Sequence, residues 1–190
     1  MQPAPPALIV VTGLPCAGKS TFAQRLRAAS GWPLLAKDDI KETLFATLGW
    51  QDREWSRRLS IASYALLFHC AEELLAARQP VIVEGNFRAE ELGERFRVLT
   101  ERAGCVVQVL CSAAPEQLLA RWDARVQRAT RHPGHLDAEN AAAMAVELKR
   151  PCSPLPLNGV LLEWDSTAPD ESGLEQLVTA ALRAARPSIR

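Results

Sequence analysis

Eight residues constrain this chain more than any others: Gly13-Leu14-Pro15-Cys16-Ala17-Gly18-Lys19-Ser20, a G-x-x-x-x-G-K-[ST] pattern. Ahead of it runs Ala7–Thr12 (ALIVVT), short, apolar and β-branched, which reads as a buried strand. Behind it, the stretch from Lys19 to Ala29 is helix-compatible. Strand, glycine turn and helix in that order can wrap a chain of phosphates. The glycines let backbone N–H groups approach the oxygens, and the helix N-terminus adds the positive end of its dipole. With ten Gly and four Lys in the chain, a fortuitous match has a probability of about one in a thousand. Lys19 is then placed to contact the β- and γ-phosphates of a nucleotide, and the Ser20 hydroxyl to coordinate Mg²⁺. Gly13, Cys16, Ala17, Gly18 and Thr21 complete the expected nucleotide-binding set. Cys16 reads either as a redox-sensitive thiol near a helix N-terminus or as a small residue at a variable loop position.

The remaining chain repeats the alternation of strand and helix. Pro33–Lys37 reads as a second strand, Asp39 onward as a helix, and Arg53–Arg78 as a long amphipathic helix with apolar residues every three or four positions. Pro80–Gly85 is a third strand, Arg88–Ala103 a helix and Cys105–Cys111 a fourth strand. Pro115 to about Ala129 is helical, followed by the polar break Thr130–His135 and a shorter helix from about Asp137 to Arg150. The proline-rich Arg150–Gly159 must be extended, Val160–Trp164 is a fifth strand, and Leu174–Ala185 is a closing helix. The expected fold class is a three-layer α/β domain, a five-stranded parallel sheet with helices on both faces. No linker divides the 190 residues, so they form one expected domain, with an arginine-rich lid over approximately 121–138.

Composition removes several classes of function. Twenty-two basic residues balance 22 acidic ones, which leaves no global footprint for nucleic acid or an anionic membrane. Five cysteines, odd in number and without C-x-x-C, point to reduced thiols rather than a disulfide framework or zinc. No apolar run approaches the roughly 18 residues of a membrane span and no basic leader precedes Ala7, so the expected location is cytoplasmic. A motor or AAA-type ATPase is expected to need more chain than this.

Candidate chemistry gathers at the carboxyl ends of the strands, where ligands of open α/β sheets bind. The second strand ends in Lys37-Asp38-Asp39-Ile40-Lys41-Glu42. Asp39 with Glu42 fits a capping box, whereas Asp38 has no such duty and can accept the proton of an attacking hydroxyl. Glu84 ends the third strand, placed either to hold Mg²⁺ through water or to orient Ser20. Arg88 is a substrate clamp or a helix-start surface residue. Arg121, Arg125 and Arg128 share one helical face, with Arg131 beyond them, and a closing lid would bring such arginines to a phosphoryl group. His132 and His135 read as lid surface rather than, with Cys152, a metal site. Ser166 and Thr167 follow the fifth strand near the expected base position, and Asp170-Glu171-Ser172-Gly173 matches D-x-x-G only by chance. Acceptor specificity is expected from residues 41–72, where Trp50, Arg53, Trp55, Arg57, Tyr64 and His69 cluster.

The phosphate loop, the Asp38-Asp39 strand end with Lys41, the arginine-bearing helix and the Asp165-Ser166-Thr167 ending together resemble the small P-loop kinases. That group includes the kinase domain of phage polynucleotide kinase, chloramphenicol phosphotransferase and zeta-type toxins. The resemblance implies that Asp38 is the general base, that Arg121 and Arg125 are lid arginines, and that Lys41 stands where an Arg contacts an acceptor phosphate. Lysine there loses bidentate recognition, which weakens the polynucleotide assignment. The implied activity is transfer of the γ-phosphoryl group of ATP, with Mg²⁺, to a hydroxyl of a small-molecule or nucleotide acceptor. Nucleic-acid 5′-hydroxyls are possible but not favoured, and the rival class is an NTP-binding switch with little transfer.

Overall fold

The computed structural model describes residues 6–129 and 131–186. Its strands are β1 (Ala7–Gly13), β2 (Leu34–Ala36), β3 (Val81–Glu84), β4 (Cys105–Ser112) and β5 (Val160–Asp165). Its helices are α1 (Lys19–Ser30), α2 (Lys37–Leu48), α3 (Arg53–Ala76), α4 (Ala89–Arg102), α5 (Pro115–Arg128), α6 (Ala141–Glu147) and α7 (Glu171–Ala184), with a single 3₁₀ turn at Pro133–His135. All strand pairings are parallel, in the order β2-β3-β1-β4-β5.

The central strand explains the three layers. β1 is buried along its whole length, and its side chains alternate between two cores. Ala7, Ile9 and Val11 join Phe22 and Leu26 of α1, Leu118 and Trp122 of α5, and Leu174 and Val178 of α7. Leu8 and Val10 meet Leu67, Phe68, Ala71 and Leu75 of α3 and Phe96 and Leu99 of α4. Each fully buried aliphatic side chain contributes about 1.5–3 kcal/mol. A strand packed on both faces therefore anchors the turn at its end rigidly. α3 departs from the membrane expectation, because by length and composition it could cross a bilayer. In this fold its apolar stripe is used against the sheet and α4.

Three local expectations are corrected. α2 opens at Lys37, directly on the extended Ala36, without a side-chain cap, so Asp38 and Asp39 both lie in its first turn and the Asp39–Glu42 capping box does not form. Carboxylates there face the positive end of the helix dipole without needing to cap it. α6 is shorter than Asp137–Arg150, because residues 137–140 form turns in which Asn140 Nδ2 donates to the His135 carbonyl at 3.1 Å. α7 starts at Glu171, because Asp170 caps it by accepting from Ser172 N at 3.2 Å and Gly173 N at 2.8 Å, which gives the D-x-x-G segment a structural purpose. Thr130, the first residue of the expected polar break, lies outside the described residues, as do 1–5 and 187–190.

Candidate active site

At the carboxyl edge of the sheet β1 turns into the loop that leads to α1. Gly18 sits at the helix N-cap with φ 84° and no side chain caps the first turn, so its N–H groups stay available to an anion. A Cβ on Gly18 would lie 2.7 Å from Trp164 Cζ3, so the position accepts only glycine. Lys19 is nearly buried, and its Nζ donates to the Leu14 carbonyl at 2.9 Å, folded over its own loop. The Ser20 hydroxyl donates to Glu84 Oε2 at 3.3 Å. Burial pushes the Glu84 carboxyl up, opposed by the Lys19 charge and by the Ser20 hydrogen bond. Burial also raises the Cys16 thiol despite Arg125 and Lys19 nearby, which keeps it neutral and fits the small-loop-residue reading over a redox-sensitive thiolate.

The loop after β5 braces this turn. Ser166 is 2% exposed, and its hydroxyl lies 3.1 Å from the carbonyls of both Ala17 and Ser112. Thr167 Oγ1 accepts from Ala114 N at 2.8 Å and donates to Asp165 Oδ1. Both hydroxyls expected near a base are thus engaged within the protein. Arg121 donates to Ser166 Oγ at 2.9 Å, to the Ser166 carbonyl and to the Cys16 carbonyl at 3.2 Å. It ties the phosphate loop to the β5–α7 loop instead of standing free on a lid.

Opposite the phosphate loop, Asp38 projects from the first turn of α2. Its Oδ1 accepts from Lys37 Nζ at 3.0 Å and its Oδ2 from Arg131 Nη2. Burial opposes ionisation, yet Lys37 and Arg131 outweigh it and hold the carboxyl well below the ordinary carboxylate range. The side chain still keeps 49% of its surface, because the cleft above it is open. Lys41, one turn along, is 7% exposed and donates to Ser56 Oγ at 3.0 Å. Burial and the Lys37 charge lower its pKa to about 8, against the pull of Asp38. Tyr64 reaches the same wall, donating to the Asn86 carbonyl at 2.8 Å. Arg88 caps no carbonyl: it pairs with Glu147 at 2.6 Å and with Glu91 at 3.6 Å, joining α4 to α6.

The segment after α5 is a packed strap. The His132 ring stacks on Phe45 at 5.0 Å and the His135 ring meets the same ring edge-on at 5.3 Å. A Cβ on Gly134 would lie 2.8 Å from both Phe45 Cδ1 and Trp50 Cβ. The Gly134 carbonyl accepts from the Ser56 hydroxyl at 2.8 Å, and His135 Nε2 lies 3.1 Å from Glu42 Oε1. Burial, with the Arg131 charge, lowers the His135 pKa to about 3, so the ring is neutral. The two histidines are therefore strap packing rather than lid surface, and no group of three metal-ligating side chains exists among the described residues.

These walls enclose one cleft of about 1200 Å³. It brings together Cys16, Gly18, Lys19, Ser20, Thr21, Asp38, Lys41, Glu84, Arg88, Arg121, Arg125 and Ser166 of the expected set, and adds Lys37 and Arg131. Arg125 packs its guanidinium over Trp122 at 4.4 Å and points Nε at Asp137 Oδ2, 3.7 Å away. Arg128 is exposed and lies outside the lining, as do Gly13, Ala17 and Thr167. Of the acceptor cluster Arg57 and Tyr64 line the cleft, while Trp50, Arg53, Trp55 and His69 do not. Lys37 adjoins Asp38 in sequence, yet only the helix start places its ammonium on the carboxylate. Ser56 carried no sequence signal at all.

A five-stranded parallel sheet with an open phosphate loop and a carboxylate across the cleft defines a kinase-like P-loop NTPase. The chain belongs to the family described as AAA domain, whose model matches residues 8–151. This corrects the expectation that an AAA-type protein needs a longer chain. A provisionally assigned kinase from Chloroflexus aurantiacus is 36% identical, with 96% of this chain and 100% of that chain covered and a TM-score of 0.86. Kti12 of Chaetomium thermophilum, solved with ADP-AlF3, is 19% identical over 95% of this chain and 100% of that one, TM-score 0.60. A chain of the Pnkp1/Rnl/Hen1 RNA repair complex is 22% identical over 80% of this chain and 48% of that one, TM-score 0.53. The last two show the shared fold. No curated protein matches the chain.

Proposed function

We propose that this protein is an ATP-dependent phosphotransferase that moves the γ-phosphoryl group to a hydroxyl of a small-molecule acceptor. The observation that carries the reading is the position of Asp38, on the wall of the same cleft as Lys19 and Ser20. Transfer needs a group there to orient the acceptor hydroxyl, which binding and release of nucleotide alone do not. In the proposed reaction the loop amides and Lys19 hold the phosphates. The acceptor oxygen forms its bond to the γ-phosphorus as the bridging P–O bond breaks, ADP leaves with that electron pair, and the acceptor proton passes to Asp38. A carboxylate held so acidic is a weak base. Phosphoryl transfer tolerates this, because its loose transition state asks the carboxylate chiefly to orient the hydroxyl. Arg121, bonded to the Cys16 carbonyl, and Arg125, which lines the same cleft, are guanidinium groups beside the phosphate loop that would meet developing charge.

Ser20 and Glu84 suit Mg²⁺: a hydroxyl and a buried carboxylate in contact are hard oxygen donors at a phosphate loop. Bound there, the ion would neutralise charge on the phosphates. The test is transfer from labelled ATP to panels of alcohols, sugars, nucleosides and nucleic-acid 5′-ends. Asp38→Asn is expected to lower acceptor-dependent kcat by at least about 10²-fold with ATP affinity retained. Unchanged turnover in that variant would return the switch reading, and transfer confined to 5′-ends would return the nucleic-acid one.

A further inference from the structure

The strap ends in a contact that the proposed chemistry does not by itself require. Both oxygens of Asp38 already carry a cationic donor, Lys37 Nζ on Oδ1 and Arg131 Nη2 on Oδ2. Lys37 is the neighbouring residue of the same helix turn, whereas Arg131 comes from 93 positions away and is placed there by the strap. That placement is specific: Arg131 Nη1 also reaches Asp137 Oδ1 at 3.3 Å, and the residues that follow are seated on Phe45, Ser56 and Glu42. The strap is thus fastened to α2 and α3, the elements of the acceptor wall.

Resting on the kinase reading above, we propose that Arg131 is a specificity-determining residue: by occupying Asp38 until an acceptor arrives, it denies that carboxylate to water and so selects an alcohol as phosphoryl acceptor. Hydrolysis and transfer break the same bridging P–O bond and release the same ADP. They differ in whether the new P–O bond and the proton given to Asp38 come from water or from an alcohol. Water brings no contacts besides its own oxygen with which to compete for Asp38. An alcohol whose other groups bind the Arg57–Tyr64 wall brings binding energy that can displace Arg131 from Oδ2. The ion pair can exchange, because the Asp38 side chain is half exposed and the hydroxyl of a bound acceptor can reach Oδ2. Once displaced, Arg131 stays beside the reacting centre through Asp137 and the strap.

The experiment uses ATP alone, so that water is the acceptor, and follows ADP and phosphate release by the full chain. Arg131→Ala is expected to raise this hydrolysis about tenfold, and Arg131→Gln, which keeps bulk without charge, to do the same. Arg131→Lys keeps a cation but not the fork that reaches both Asp38 and Asp137, so it is expected to raise hydrolysis less than the two neutral variants do. In the Arg131→Ala/Asp38→Asn double variant the rise is expected to vanish. Unchanged or reduced hydrolysis in both neutral variants, or a rise that survives the loss of Asp38, would overturn the proposal. Such a failure is separable from failure of the kinase reading, which is judged by acceptor-dependent transfer in Asp38→Asn.

Discussion

The wall of the cleft built on the phosphate loop is a glycine turn whose main-chain carbonyls are clamped by distant side chains, whereas the opposite wall, which the proposed acceptor would face, is joined largely side chain to side chain. In the first, Gly18 adopts a left-handed conformation against Trp164, and the Ser166 hydroxyl and Arg121 brace main-chain carbonyls. In the second, Phe45 takes two histidine rings, Ser56 bridges Lys41 and Gly134, and Asp38 takes Lys37 and Arg131. The first kind of wall admits no adjustment, which suits a triphosphate of constant shape. The second can exchange partners, which suits an acceptor that must be recognised and admitted.

Two glycine variants break this comparison most directly, because each places a methyl group against an aromatic ring on a different wall. Gly18→Ala combines a disfavoured φ with a contact of 2.7 Å, so it is expected to destabilise the fold by about 3 kcal/mol and lower nucleotide affinity at least about 100-fold. Gly134→Ala meets Phe45 and Trp50 at 2.8 Å and is expected to cost about 2 kcal/mol by unseating the strap, with nucleotide affinity within about twofold of the parent. Thermal unfolding and equilibrium nucleotide titration read both. Equal losses of affinity in the two variants would show that the walls are not independent.

The same division separates what could be read from sequence from what could not. Gly13–Ser20 is legible because a phosphate loop is contiguous and its geometry demands particular residue types. β1, β3 and β4 are legible because strands covered on both faces need short β-branched runs, whereas the edge strands β2 and β5 are legible only from their place in the alternation of strand and helix. Glu84 follows from its place at a strand end, and its contact with Ser20 agrees with that place. Arg131 on Asp38 and Ser56 under Gly134 are pairings across 93 and 78 positions, and no spacing rule connects them. α2 starts at Lys37, two residues ahead of Asp39, although Asp39 and Glu42 satisfy a capping rule, because the helix opens directly on the extended Ala36 without a side-chain cap. Helix ends are decided by such small preferences, whereas Glu42 is drawn to His135 by a contact no local rule contains.

Acid should attack the acceptor wall through His135, and the sign follows from its lowered pKa. The folded protein keeps the ring neutral down to about pH 3, whereas the unfolded chain takes up a proton below about 6.5. Between those values the unfolded state binds more protons, so stability falls as pH drops, by up to about 1.4 kcal/mol per unit. His135→Gln is expected to flatten that slope between about pH 6 and 4 in denaturant titrations run at a series of pH values. Asp38, held low by Lys37 and Arg131, adds a loss in the same direction at the acid end of the range. A slope unchanged by the substitution would show that His135 is protonated in the folded protein and that the strap does not bury a neutral ring.

The smallest effect is expected at Arg128, and it sharpens the comparison by separating helical angle from reach. At about 100° per residue, Arg121, Arg125 and Arg128 lie within about 60° of one another around α5, so periodicity assigns all three to the cleft. Periodicity ignores the axial rise, which at about 1.5 Å per residue carries Arg128 about 10 Å beyond Arg121. There the helix ends at Ala129, whose φ of 46° turns the chain back, and the strap delivers Arg131 in place of Arg128. Arg128→Ala is therefore expected to change stability by less than about 0.5 kcal/mol and to leave transfer and hydrolysis at parental rates. Arg125→Ala is the matched contrast, since its guanidinium lies inside the cleft over Trp122, with Nε and Nη2 buried and without a hydrogen-bond partner among the described residues. Such nitrogens are costly to bury unless a bound anion satisfies them, so loss of transfer at 125 with none at 128 would place the working edge of α5 between the two.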